Sequence, residues 1–297
     1  MNYKMIVLDL DGTLTNRDKV ITPRTKQSLM EAQKRGIKVV LASGRPTYGV
    51  VPLAQELELE NYGGYILSFN GGMITDCCTR KVIFKQELPV EANRRIVELA
   101  KKEQVDILTY QDTQILTNNP ENRYAKLESR INHLKLKQVD NLEEYLDFPV
   151  PKFLMLDDGD YLALVEARVK AALGKNFSVY RSDPFFLEIL PRNIDKAQSL
   201  AQLLKLLGME REEMIACGDG YNDLSMIEFA GLGVAMENAV RPVRSAADYV
   251  TFSNNDDGVA HVVEKFLLYT DRIQAFCRFG MRSIRKIVRT IDFTNLV

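Results

Sequence analysis

Residues Met5–Leu8 form an unbroken apolar run that stops at Asp9, and two further, mostly apolar segments that read as buried strands, 37–41 and 65–69, follow early in the chain. A strand with apolar side chains on both faces must be covered on both, as in a parallel sheet flanked by helices. Between the first two runs, Thr22 offers a side-chain N-cap and Pro23 suits the first helical position. Gly36 offers a C′ residue that can turn left-handed and end the helix. Strand, helix and strand at this spacing predict a right-handed parallel α/β unit.

From about residue 82 to 188 the pattern changes. Helices are expected over 90–103 and 161–173, and strands over 152–156 and 185–190, in a more alternating arrangement that reads as α+β. Parallel α/β logic then returns. A helix is expected over 196–207, a strand over 214–217, a helix over 223–230 and a short strand over 233–236. The first and last parts share one architecture and the middle another. The chain is therefore read as a discontinuous core, 1–83 and 191–270, with an inserted α+β cap, 84–190, and a basic C-terminal extension, 271–297.

The remaining global features narrow the function. With 297 residues, 46% of them hydrophobic, there is material for a large core. A net charge of -1 gives no argument for nucleic acid or an anionic membrane as partner. Cys77, Cys78, Cys217 and Cys277 make no CxxC pair, so reduced thiols in a cytoplasmic protein are expected rather than zinc or disulfides. No apolar run is long enough for a transmembrane helix, and the N-terminal one is too short for a signal peptide.

The chemistry lies where the apolar strands end. Asp9 and Asp11 follow the first, Ser43 the second, and Asp219 and Asp223 the strand expected over 214–217. In an open α/β sheet ligands bind beyond the carboxyl ends of the strands, so the fold should gather these groups at one edge. Several carboxylates and a hydroxyl meeting there suit a cation plus a phosphate. Mg²⁺ is the expected cation, because it takes few protein carboxylates and shares phosphate oxygens.

These residues resemble a known set of motifs. Asp9-Leu10-Asp11-Gly12-Thr13-Leu14 is similar to the first motif of the haloacid dehalogenase superfamily, and Ser43-Gly44-Arg45 resembles the second. Lys196 resembles the third, and Gly218-Asp219-Gly220-Tyr221-Asn222-Asp223 the fourth. Asn70-Gly71-Gly72, the residues 254–260 and the position of the insert resemble the Cof-type branch, which carries a large α/β cap and contains sugar phosphatases. Ala197 departs from the glycine usual after the lysine, with little effect expected because alanine is also small.

The resemblance implies a Rossmann-like core and a Mg²⁺-dependent phosphatase of small phosphorylated metabolites. It implies that Asp9 attacks phosphorus, and that Asp9, the carbonyl of Asp11 and the carboxylate of Asp219 reach the metal. Asp223 would orient a metal water or Lys196. Ser43, the amide of Gly44, Lys196 and Asn222 would hold the phosphate. Asp11 would protonate the leaving oxygen and then activate water. The physics agrees with this division: a carboxylate about 4 Å from a phosphate charge is repelled by roughly 4 kcal/mol per charge pair, about three orders of magnitude in rate. A cation and Lys196 offset that.

Other readings stand beside this one. A phosphosugar mutase uses the same Asp9 and Asp11 with another acceptor, and a non-catalytic regulatory protein can keep the scaffold, although no motif here is degraded. Taken singly, Lys196 is a solvated helix residue and Asn70-Gly71-Gly72 a backbone turn. The extension 271–297 has the spacing of a basic amphipathic helix, for which packing on its own core is the plainer expectation than a membrane or partner.

Overall fold

The computed structural model describes residues 3–268, so the extension 271–297 lies outside the described residues. The chain opens with β1 (Met5–Leu8), β2 (Lys38–Ala42), β3 (Tyr65–Ser68), β4 (Met73–Asp76) and β5 (Val82–Lys85). It continues through β6 (Asp106–Gln111), β7 (Gln114–Thr117), β8 (Lys135–Gln138), β9 (Phe153–Leu156), β10 (Phe177–Asp183) and β11 (Phe186–Pro191). It closes with β12 (Met214–Gly218), β13 (Leu232–Ala235) and β14 (Tyr249–Val250).

Two sheets result. The first has the order β14-β13-β12-β1-β2-β3-β4-β5. It is parallel from β14 to β3, and the antiparallel hairpin β4–β5 extends it at one edge. Strand β1 is central and wholly buried, which is why its sequence is apolar without alternation. The chain runs outward from β1 through β2 and β3 on one side, and returns through β12, β13 and β14 on the other. The strand order therefore reverses between β1 and β12, where an open α/β sheet forms its ligand crevice. Leu8 is in register with Leu41 on one neighbour and Cys217 on the other, so Asp9, Ala42–Ser43 and Gly218–Asp219 leave the sheet at one level.

Local signals account for the helices that cover this sheet. Pro23–Lys34 begins at Thr22, whose side chain accepts from the Thr25 amide, and Gly36 follows it at φ +86°. Lys196–Leu207 begins at Asp195, whose carboxylate accepts from the Gln198 amide, and ends at Gly208 with φ +62°. The expected helix 223–230 is shorter: a single 3₁₀ turn, Tyr221–Asp223, leads into Leu224–Phe229. The turn arises because Asp223 is occupied by the preceding loop, as described below.

The second sheet has the order β10-β11-β9-β6-β7-β8 and is antiparallel except for β7 and β8. Alternation along its strands divides it into two faces. Phe153, Met155, Leu187 and Ile189 form one core with Ile96 and Val97 of helix Val90–Lys102 and with Val165 and Val169 of helix Gly159–Leu173. Leu108, Tyr110, Leu154 and Phe186 form another, which includes Phe69 from the end of β3. This second core also takes in Ala125 of helix Arg123–Asn132, and it is this face that the second sheet turns to the first. Strand β5 carries the first sheet on to Lys85, two residues past the expected end of the first core segment at 83. The two connecting segments lie side by side, with Gln86 Nε2 donating to the Arg192 carbonyl at 3.0 Å.

Candidate active site

Asp9 is 6% exposed, and its position at the end of β1 is fixed by its own amide, which donates to the Cys217 carbonyl at 3.0 Å. Lys196, the first residue of its helix, is completely buried. Its ammonium donates to Asp9 Oδ1 and to Asp223 Oδ1, both at 2.6 Å, and to the Ala42 carbonyl at 2.8 Å. Lys196 thus joins the ends of β1 and β2 to the loop after β12. Asp223 has no exposure, and its other oxygen accepts from the amides of Asp219 and Gly220 at 2.9 Å each. With both oxygens engaged, Asp223 shapes the loop and holds Lys196.

Asp9, Asp219 and Asp223 present carboxylate oxygens within 4.8 Å of one another. Three acids face one ammonium, so the cluster carries surplus negative charge. The consequences appear in the acidities. Burial, then the Asp223 charge, push Asp9 up to about 8 against the opposing pull of Lys196. Burial pushes Asp219 up to about 6, opposed by the Thr13 hydroxyl, which donates to Asp219 Oδ1 at 2.9 Å. Lys196 itself lies above its usual value, because the two carboxylates outweigh burial. A hard divalent cation at this cluster would neutralise the surplus and return Asp9 to its ionised form. Oxygen donors in this number fit Mg²⁺. Gly12, at φ +88°, passes so close that a Cβ there would lie 2.3 Å from Asp219 Oδ2.

Asp11 stands apart from the acidic cluster. Arg45 grips it in two places, Nε to Oδ2 at 2.8 Å and Nη2 to Oδ1 at 2.6 Å, and Lys19 reaches Oδ1 at 2.7 Å. Burial alone would raise its pKa, but these cations prevail and hold it below the usual carboxylate value. So held, Asp11 is ionised.

Ser43 is buried, and its Oγ accepts from the Arg45 amide at 3.2 Å. Asn222 donates from Nδ2 to Asn70 Oδ1 at 3.2 Å, and the Asn70 side chain packs against Gly44. The fold therefore brings Asp9, Lys196, Asp219 and Asp223 into direct contact, and puts Ser43, Gly44 and Asn222 around Asn70. Asn70 is more than a turn residue. Phe69, Asn70 and Gly71 have consecutive φ values of 54°, 55° and 105°, a strained path for two residues that are not glycine. It is held by the Asn70 amide on the Ser43 carbonyl and by the Ser199 hydroxyl on the Gly71 carbonyl.

Sequence reasoning assigned no role to Lys19, Arg45, Thr13, Lys152, Glu188 or Tyr180. The last three come from the second sheet and approach the same loop. A signal was present: Lys152 and Glu188 are charged residues in otherwise apolar strand runs, where such residues are seldom left unpaired.

The profile of the haloacid dehalogenase-like hydrolases matches residues 6–263. The chain belongs to this family. Its motifs put it in the Cof-type branch, and the protein is a phosphatase of the superfamily. Among similar proteins, YxeH of Bacillus subtilis is 33% identical over 269 residues, covering 90% of this chain and 99% of that one. The 5-amino-6-(5-phospho-D-ribitylamino)uracil phosphatase YwtE of Bacillus subtilis is 30% identical over 288 residues, covering 89% of this chain and 98% of its own. Among solved structures, a haloacid dehalogenase-like hydrolase from Bacteroides thetaiotaomicron matches with a TM-score of 0.86 at 47% identity, over 89% of this chain and 99% of the other. The subclass IIB sugar phosphatase BT4131 matches with a TM-score of 0.75 at 25% identity, over 89% and 98% of the two chains. Among the described residues, no helix of this phosphatase is long and apolar enough to cross a membrane.

Proposed function

We propose that this phosphatase is Mg²⁺-dependent, cytoplasmic, and hydrolyses small phosphorylated metabolites, sugar phosphates among them, through an aspartyl-phosphate on Asp9. The observation that carries the reading is Lys196, buried between Asp9 and Asp223 with Asp219 alongside. It supplies a nucleophile, a fixed positive charge and a seat for a cation within one contact distance. Bound through Asp9, Asp219 and the Asp11 carbonyl, Mg²⁺ would supply charge neutralisation for the phosphoryl group.

The chain's own residues do the rest. Asp9 attacks phosphorus, and the ester oxygen leaves with its bonding pair. Ser43, the Gly44 amide and Asn222 hold the phosphoryl oxygens, and Lys196, whose three N–H groups are engaged by Asp9, Asp223 and the Ala42 carbonyl, joins them by turning one from Asp9 to the transferring group. When the substrate displaces Arg45 and Lys19 from Asp11, the freed carboxylate takes up a proton from solvent and passes it to the leaving oxygen. Asp11 then takes a proton from water, which attacks the aspartyl-phosphate and frees Asp9. The 84–190 insert, connected to the core by two adjacent segments, suits a cap that closes over a small substrate. The names of relatives such as YwtE and BT4131 favour phosphorylated sugars or polyols.

Phosphate release from a panel of phosphorylated metabolites, with Mg²⁺ and after chelation, tests this. Metal-dependent release that vanishes in Asp9→Asn is expected. Phosphoryl transfer to a second sugar without free phosphate would instead identify a mutase. Undiminished release by a folded, undeamidated Asp9→Asn protein would refute the mechanism.

A further inference from the structure

Two side chains on the face of the second sheet turned toward the first are charged types with almost no exposure: Lys152 at 3% and Glu188 at 5%. A buried ion pair is weak support for stability, since apolar residues of similar size often do as well. Its contacts suggest another purpose. The Lys152 ammonium lies 3.1 Å from Glu188 Oε2 and over the Tyr110 ring, and it donates across to the Gly44 carbonyl of the first sheet's loop at 3.3 Å.

The same loop is gripped from the other side. The Asn70 amide donates to the Ser43 carbonyl at 2.9 Å, and Asn70 Nδ2 donates to the Tyr180 hydroxyl at 2.8 Å. Tyr180 is the register partner of Glu188 on the neighbouring strand. Its phenol is raised well above its usual value, by burial first and then by the Glu188 carboxylate. Gly44, Lys152, Glu188, Tyr180 and Asn70 thus close a ring of polar contacts around the Ser43–Gly44 loop, and three of the five belong to the insert.

A trans peptide is rigid, and its carbonyl and N–H point in opposite directions. Holding the Gly44 carbonyl therefore also aims the Arg45 N–H, which donates to Ser43 Oγ at 3.2 Å. With that lone pair taken, the Ser43 hydroxyl hydrogen is left to donate elsewhere.

We propose that Lys152, held by Glu188, is a positioning residue for phosphate binding: it reaches from the cap to the Gly44 carbonyl and orients Ser43 toward the phosphoryl group. The inference rests on Ser43 and Gly44 being the phosphate-binding loop. It makes the cap part of the phosphate site as well as a cover for the leaving group.

Inorganic phosphate, which carries no leaving group, is the probe, used as an inhibitor of p-nitrophenyl phosphate hydrolysis. In Lys152→Met the phosphate inhibition constant should rise about tenfold, the scale of one charge-assisted hydrogen bond. kcat/KM should fall in the same proportion for p-nitrophenyl phosphate and for a metabolite ester, and Lys152→Arg should recover part of both losses. Because Lys152→Met leaves Glu188 buried without a counter-charge, Lys152→Met/Glu188→Gln is measured beside it, with thermal unfolding as the check on folding. It should retain the raised inhibition constant. An unchanged phosphate constant in Lys152→Met with a raised KM for the metabolite alone would make Lys152 a leaving-group contact and overturn the proposal. Recovery of phosphate inhibition in the double variant would overturn it too, by tracing the effect to the stranded Glu188 charge. A wild-type enzyme that phosphate does not inhibit would refute the underlying assignment of the phosphate loop.

Discussion

Replacing Asp9 by Asn should abolish phosphate release and, in metal-free buffer, make the folded chain more stable. Asp9 is pushed up to about 8 in the fold, by burial first and then by Asp223, against the pull of Lys196. An unfolded aspartate titrates near 3.9. The folded state thus binds this proton more tightly than the unfolded state does, so wild-type stability declines as pH climbs from about 4 to about 8. At pH 7 about three units of that interval have been crossed, each costing about 1.4 kcal/mol, or about 4 kcal/mol in all. Asparagine does not titrate, keeps a carbonyl acceptor for Lys196 and escapes this cost. About 4 kcal/mol is a ceiling, because the amide also sets an NH₂ where an oxygen stood. For a chain of this size it corresponds to a rise in Tm of roughly 10 °C. The gain should vanish near pH 4, and Mg²⁺ should narrow it by stabilising wild type through an intact ligand set. Thermal unfolding of both proteins, with and without Mg²⁺ at the two pH values, is the assay. A metal-free Asp9→Asn protein no more stable than wild type at pH 7 would refute the reasoning.

Asp11→Asn should remove the base that Arg45 and Lys19 hold ionised, so that with an activated aryl phosphate the aspartyl-phosphate accumulates. Phosphoenzyme breakdown as fast as in wild type would exclude Asp11 as that base. Gly12→Ala places a methyl group against Asp219 at a φ of +88°, a conformation costing about 1–2 kcal/mol for alanine. The Mg²⁺ concentration for half-maximal activity should rise about tenfold, and an unchanged requirement would show that Gly12 does not shape the cation seat. EDTA should silence the enzyme and Mg²⁺ restore it, whereas Ca²⁺, with its looser coordination, should inhibit. Full activity in rigorously metal-free buffer would contradict the cation assignment.

What could be read from the sequence was short-range. The apolar runs of β1, β2 and β12 stand within a residue of their expected bounds, and helix Lys196–Leu207 on its expected ones. Thr22 and Gly36 cap where their chemistry predicts. Burial on both faces, a cap oxygen and a left-handed glycine act over a few residues and are written into the order of side chains. The convergence of Asp9, Ser43 and Asp219 at one sheet edge followed from topology, since parallel strands in register end at one level.

Tertiary structure alone decided how charge is shared among these groups. No local signal pairs Asp11 with Arg45 34 residues on, or puts Lys152 on a carbonyl 108 residues before it. The period of two, run back from β9 to the residue before it and along β11, marks Lys152 and Glu188 as anomalies in apolar segments, but their partners depend on how one sheet faces the other. The reason is the range of the forces. Hydrophobic periodicity and capping are sums over neighbours in sequence, whereas the acidity of Asp9 or Asp11 is set by whichever charges the completed fold leaves a few ångströms away in a medium stripped of water.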